Sequence, residues 1–194
     1  MNKVLSLAYF AGGSKFTLDP WGYFPSVGLG WVLSEENFLK NNDFIDFLKF
    51  RGSWGKLGND NVGASAGSNT VNVITMPFGD TQYTGTTTTS LFSNNTWEII
   101  EETNIGLDFR TFDNRLTLDA NYYIRDTKNA IMPVYVPIAN QYISRNSGTI
   151  RNQGLELNLG WNHQVSDDFS YNISANFSTL KNEATKIVDE SGYI

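Results

Sequence analysis

The stretch NIGLDFRTFDNRLTLDANYYIRD, residues 104–126, decides the fold. Apolar side chains fall on alternate positions at Ile105, Leu107 and Phe109, and again at Leu116, Leu118, Ala120, Tyr122 and Ile124. A period of two marks a strand whose faces differ. Between the runs lies Phe112-Asp113-Asn114-Arg115. Its Asp-Asn pair favours a tight reversal, because both side chains hydrogen-bond their own backbone and tolerate left-handed geometry. The stretch predicts a β-hairpin.

Opposite the apolar set stand Asn104, Gly106, Asp108 and Arg110 on the first strand, with Thr117, Asp119, Asn121 and Arg125 on the second. A soluble β-sandwich would set a core against the apolar face and bulk water against the other. A membrane barrel would set lipid outside and a wet lumen inside. Both select the same alternation, so the pattern leaves the two open.

The chain has 194 residues, enough for one sizeable domain. No window approaches the roughly 18 consecutive apolar residues of a membrane helix, which excludes helical membrane proteins. A mean hydropathy of -0.30 fits a soluble protein and equally a barrel, half of whose strand positions face water. Net charge is -6 and the 14 basic residues are scattered, so no cluster neutralises several phosphates and nucleic-acid binding is set aside. Cys is 0, which removes disulfide frameworks, thiol catalysis and thiolate metal sites. The opening MNKVLSLAYFAGGSKF has an early Lys and a short apolar run, but Ser6 and Gly12-Gly13 interrupt it. It is expected to be a strand inside a longer protein, not a signal peptide.

The alternation recurs along the chain. Leu155, Leu157, Leu159 and Trp161 oppose Glu156, Asn158 and Gly160; Phe169, Tyr171, Ile173, Ala175 and Phe177 oppose Ser170, Asn172, Ser174 and Asn176. Tyr23, Val27, Leu29 and Trp31, then Leu48, Phe50 and Trp54, repeat it, and Leu5, Leu7 and Tyr9 indicate a first strand. Several runs match the roughly 9 to 11 residues of a tilted transmembrane strand. Connections near 12–20, 58–96 and 128–148 are expected to be long, and those near 112–114 and 164–167 tight. The connection near 34–45 belongs with the tight set by order but not by length, and SEENFLKNNDF has room for a helical turn capped by Ser34. Long loops alternating with short turns describe an outer-membrane barrel. The segment 58–96 is rich in Gly, Ser, Thr and Asn and reads as a solvated loop with a short hairpin through VNVITM. The two prolines of MPVYVPI, residues 132–138, place it in an extended or edge segment.

Chemical motifs are sparse. His163, the single histidine, is expected in a solvated turn, where it builds neither a zinc site nor a catalytic triad. Glu101-Glu102 and Asp167-Asp168 read as solvated charges. GNDNVG, residues 58–63, offers oxygens to calcium but lacks the ligand spacing and closing Glu of an EF-hand. Gly28-Leu29-Gly30 lacks the third glycine of a dinucleotide loop and is better explained by close packing or a lumen-facing gap. Trp21, Tyr23, Trp31, Trp54, Trp97 and Trp161 lie near strand ends, where membrane barrels carry aromatic girdles.

Four blocks then carry a resemblance: WGYFPSVGLGWVLSEENFL at 21–39, LKFRGSWGKLGND at 48–60, WEIIEETNIGLDFRTFDNRLTLDANYYIRDTKN at 97–129 and GTIRNQGLELNLGWN at 148–162. Together they resemble the SusC/RagA-type TonB-linked outer-membrane receptors of Bacteroidetes. The resemblance implies an all-β fold, an antiparallel up-and-down transmembrane β-barrel segment with long extracellular loops and short periplasmic turns. Residues 1–194 would be a partial barrel domain of a wall of about 22 strands, with the plug domain and the chain ends missing. It further implies nutrient uptake, of glycan oligomers or peptides, without catalysis and without a cofactor or metal. The implied partners are outer-membrane lipid and, through the full-length receptor, a SusD-like lipoprotein and TonB.

On that reading Asp108, Arg110, Asp119, Asn121, Arg125, Glu156 and Asn158 are expected to face the lumen. Ile105, Leu107, Phe109, Leu116, Leu118, Leu155, Leu157, Leu159 and Ile173 are expected to face lipid. The competing reading is a soluble β-sandwich, a carbohydrate-binding or adhesin module. A membrane-barrel enzyme ranks last, for want of a convergent His and carboxylate set.

Overall fold

The structure, a computed structural model, describes residues 2–14, 16, 19–61, 71–88, 95–137 and 141–187. Ten strands run in chain order: β1 (Lys3–Gly13), β2 (Trp21–Val32), β3 (Ile45–Asn59), β4 (Val71–Phe78), β5 (Thr81–Thr88), β6 (Glu98–Thr111), β7 (Leu116–Val136), β8 (Gln141–Ser166), β9 (Phe169–Ser178) and β10 (Lys181–Ile187). Eight of them form one antiparallel sheet in the order β1-β2-β3-β6-β7-β8, with β9 and β10 both on the far side of β8. β9 and β10 act as one interrupted strand, because Thr179 between them still donates its N–H to Leu155 O at 2.8 Å. The sheet is therefore an up-and-down meander, each strand pairing with the next in the chain once the β4–β5 hairpin is passed over. It does not close on itself within this chain.

The hairpin read from residues 104–126 is present, with Ile105 opposite Tyr122, Leu107 opposite Ala120 and Phe109 opposite Leu118. Its turn is left-handed at three consecutive residues, Phe112 (φ 59°), Asp113 (φ 55°) and Asn114 (φ 61°). Asp113 and Asn114 suit that region; Phe112 does not. Phe112 is held by edge-on contacts with Phe44 and Trp161, and Asp46 Oδ2 accepts the Asn114 N–H at 2.8 Å.

Three connections differ from expectation. Residues 128–136 and 141–148 are not a loop: β7 and β8 continue as a two-stranded arm past the end of β6, with Pro133 opposite Ser144 on a strand whose other edge is free of β6. The prolines tolerate this because only one edge needs a ladder. The tight connection expected near 164–167 is present but narrower and one residue on, since β8 runs to Ser166 and only Asp167 and Asp168 turn. The helical turn after β2 is present as a 3-10 helix at Leu33–Glu35, but its cap position is Val32 without a side-chain hydrogen bond, so Ser34 does not cap it. The hairpin through VNVITM is present as β4–β5. Residues 62–70, 89–94 and 188–194, including the end of GNDNVG and the closing DESGYI, lie outside the described residues.

Little of this sheet is a conventional core. Among the described residues the buried apolar side chains are Phe16, Phe24, Trp97 and Ala130, the first three forming one cluster. The cluster is a wedge. The β2–β3 ladder stops at Ser26–Gly55, while β1–β2 pairing continues to Gly13–Trp21 and β3–β6 pairing to Asn59–Glu98. Phe24 and Trp97 meet edge-on at 5.2 Å where the two hairpins part. Trp97 is thus packed inside, 6% exposed, and is not one of the girdle aromatics expected from its place near a strand end.

Candidate functional site

The candidate site is the sheet itself, because cross-strand register fixes which side chains share a face. Asp108, Asp119 and Asn158 lie in one row; Gly106, Asn121 and Glu156 in the next; Arg125 sits opposite Glu102, and Arg110 opposite Thr117. All seven polar candidates therefore share one face. On the other, Ile105 aligns with Tyr122 and Leu155, Leu107 with Ala120 and Leu157, and Phe109 with Leu118 and Leu159. Leu116 aligns with Trp161 and Ile173 in the same set. All nine apolar candidates are on that face.

Nothing among the described residues covers the apolar face. Leu7 is 74% and Ile173 62% exposed, and Leu5, Tyr9, Leu29, Ile105, Leu159 and Phe177 are exposed as well. A contiguous apolar surface of this extent is unstable in water.

The polar face is organised by ion pairs and small residues. Arg51 Nε meets Asp108 Oδ1 at 2.9 Å, its guanidinium lying over Gly106, where a Cβ would stand 2.7 Å from Arg51 Cζ. Arg125 reaches Glu102 at 2.7 Å. Asp119 and Glu156 stand exposed. Gly28 packs tightly as expected, since a Cβ there would meet Ser6 Oγ at 3.0 Å.

Charges also border the apolar face, and sequence reading passed over them. Lys56, Glu101, Asp126, Arg151 and Glu183 occupy a single register row just beyond the apolar runs of β3, β6, β7, β8 and β9. Trp54 Nε1 donates to Glu101 Oε1 at 2.9 Å, Lys128 pairs with the same carboxylate, and Arg151 holds Asp126 through two bonds of 2.7 Å. Glu101 and Glu102 are thus engaged in ion pairs rather than free in solvent. The signal was legible: Glu101, Asp126 and Arg151 keep the parity of the apolar residues.

His163 lies inside β8 rather than in a turn, edge-on to Tyr171 with ring centroids 5.7 Å apart. No group of three or more His, Cys, Asp or Glu among the described residues is arranged to hold a metal. Of GNDNVG, Asn59 instead bonds the Glu98 carboxylate at 2.6 Å.

A family model for the TonB dependent receptor-like β-barrel matches residues 5–193. The chain belongs to this family. Among relatives of the barrel, TonB-dependent receptor SusC of Bacteroides thetaiotaomicron is 34% identical over 193 residues, covering 94% of this chain and 19% of that protein. TonB-dependent receptor P3 of Formosa agariphila is 31% identical over 182 residues, covering 92% of this chain and 18% of that one. The RagAB peptide transporter structure superposes with a TM-score of 0.83 at 24% identity, over 96% of this chain and 21% of the other. The RagAB importer in its closed-closed state gives 0.84 at 23% identity. These structures establish the fold of the receptor barrel; the present chain spans about one fifth of the length of the curated relatives it matches.

Proposed function

We propose that this chain is a section of the wall of an outer-membrane, TonB-dependent importer of oligomeric nutrients, glycans or peptides, and that it performs no catalysis. The apolar face, with Ile105, Leu107, Phe109, Leu116, Leu118, Leu155, Leu157, Leu159 and Ile173, meets lipid. The polar face, with Asp108, Arg110, Asp119, Asn121, Arg125, Glu156 and Asn158, lines the water-filled side. The observation that carries this is the uncovered apolar face of a meander that belongs to a receptor-barrel family. The TonB dependence named for SusC and the peptide transport named for RagAB support TonB as a partner of the whole receptor and peptide as one cargo, while a SusD-like lipoprotein and glycan cargo rest on the family resemblance. A soluble sandwich is not supported: the described strands make one sheet and a separate two-stranded hairpin, with no second layer over the apolar face.

Leu157 and Asn158 are sequence neighbours on opposite faces, which provides the test. In the full-length receptor, made otherwise free of cysteine, each is replaced by Cys and carries a fluorophore in a native-like bilayer. The Leu157→Cys label is expected to be quenched by bromine on lipid tails and the Asn158→Cys label by aqueous iodide. Equal iodide quenching at both positions would refute the membrane wall.

A further inference from the structure

The polar face is not uniform. On β3, β6 and β7 it carries charges, among them Lys49, Arg51, Glu102, Asp108, Asp119 and Arg125. Across β8 and the β9–β10 strand the same face is nearly free of charge, and asparagine stands opposite asparagine three times: Asn152 with Asn182, Asn158 with Asn176, and Asn162 with Asn172. Asn182 Nδ2 donates to Asn152 Oδ1 at 2.6 Å, and Asn172 donates likewise to Asn162. Ser174 and Ser178 fill positions between them on β9, Ser170 lies just beyond Asn172, and Glu156 is the single charge. A primary amide has two N–H donors and a carbonyl with two acceptor sites. Each joined pair therefore keeps at least one donor and one acceptor for a third party.

Two more features break the amide row, both away from simple wetting of a wall. Between the first and second asparagine pairs the phenol end of Tyr123 lies over Gly154, where a Cβ would stand 2.9 Å from its Oη and 3.0 Å from Cζ. At the far end the row opens into a cavity of about 520 Å³ whose lining includes Asn162, Gln164, Ser170 and Asn172 from the row, with Asp113 and Arg115 of the β6–β7 turn at its edge. Asn152 and Asn162 are ten residues apart, so the row extends over about 34 Å along the strand.

We infer that this row is a binding track for an uncharged oligosaccharide, with Tyr123 as a platform for one ring and the asparagine pairs as partners for its hydroxyls. The inference rests on the import reading above and narrows its cargo. Sugar hydroxyls donate and accept at once, as the free amide edges do, and the C–H face of a pyranose is apolar enough to lie on a phenol ring. A track for peptides needs apolar pockets and charges for side chains and termini; one for acidic glycans needs unpaired cations. Along β8 and the β9–β10 strand the row supplies neither, and the charges Asp113 and Arg115 stand only at the cavity end.

The test uses the purified full-length receptor in detergent and native mass spectrometry against three pools: neutral oligosaccharides from hydrolysed starch, xylan and mannan; oligogalacturonides; and a tryptic peptide digest. Retention of the neutral pool, lost at least tenfold in Tyr123→Ala and in the double variant Asn158→Ala/Asn176→Ala but kept in Tyr123→Phe, is the expected result. Circular dichroism confirms that each variant retains its sheet. Selective retention of peptides or oligogalacturonides overturns the track while leaving the importer reading intact, as does neutral binding indifferent to all three variants. Retention of no pool overturns both.

Discussion

Trp31 donates its indole N–H to Glu36 Oε1 across 2.7 Å, tying the end of β2 to the connection that follows it. Lys3 lies 5.0 Å over the same indole ring and 3.6 Å from the same carboxylate. The Trp31 hydrogen bond, and secondarily Lys3, hold the Glu36 carboxyl below its ordinary value. A carboxyl lowered on folding adds stability above its unfolded pKa and loses it as pH falls through the folded one. Glu36→Gln is therefore expected to lower the apparent melting temperature of the full-length receptor at neutral pH. The difference from wild type should shrink and then vanish as pH falls through the lowered pKa of the folded-state carboxyl. A gap that persists unchanged into acid would show that the charge of Glu36 is not what matters.

The aromatic wedge depends on two positions without side chains. A Cβ on Gly58 would stand 2.0 Å from Phe24 Cζ and 2.7 Å from Trp97, and one on Gly22 would stand 2.3 Å from Phe24. Both rings are buried in one cluster that a retreat would disrupt, so Gly58→Ala is expected to destabilise by about 1–3 kcal/mol. Gly85→Ala meets nothing within 4 Å and serves as the control. Urea midpoints of the two variants should separate; coincident midpoints would mean that the wedge can repack at no cost.

Thr111 is 1% exposed, and its hydroxyl donates to the carbonyl of Phe44. Thr111→Val keeps the shape and removes the donor, so the Phe44 carbonyl loses this partner. The expected loss is about 0.5–1.5 kcal/mol. Thr111→Ser should recover most of it, and failure of serine to do so would assign the effect to methyl packing instead.

Arginine scanning separates the two faces. Leu118 and Leu157 belong to the apolar band, whereas Asn121 lies in a polar row with Glu156. Leu118→Arg or Leu157→Arg is expected to cost about 2–4 kcal/mol near the bilayer midplane, and Asn121→Arg little. Refolding yield into lipid vesicles reads this directly. Equal tolerance on both faces would contradict the assignment of lipid to the apolar side.

Several of these sites were already visible as letters. Alternation at 104–126 and 155–177 fixed strand type and the two-sided character of each strand, because the pleat points successive side chains to opposite sides whatever lies beyond them. Asp113-Asn114 announced the turn, and the parity of Glu101 was there to be read. What alternation could not supply is register, since a one-residue slip would exchange the faces and no single strand records its partner. Only the paired sheet brings Asn152 to Asn182, sets Arg51 over Gly106, and turns residues 128–136 and 141–148 from an expected loop into a two-stranded arm. Trp97 shows the same division: its type marked it as a strand-end aromatic, but the parting of two hairpins gave it a space to fill, and burial of that ring followed from the gap rather than from its neighbours in the chain.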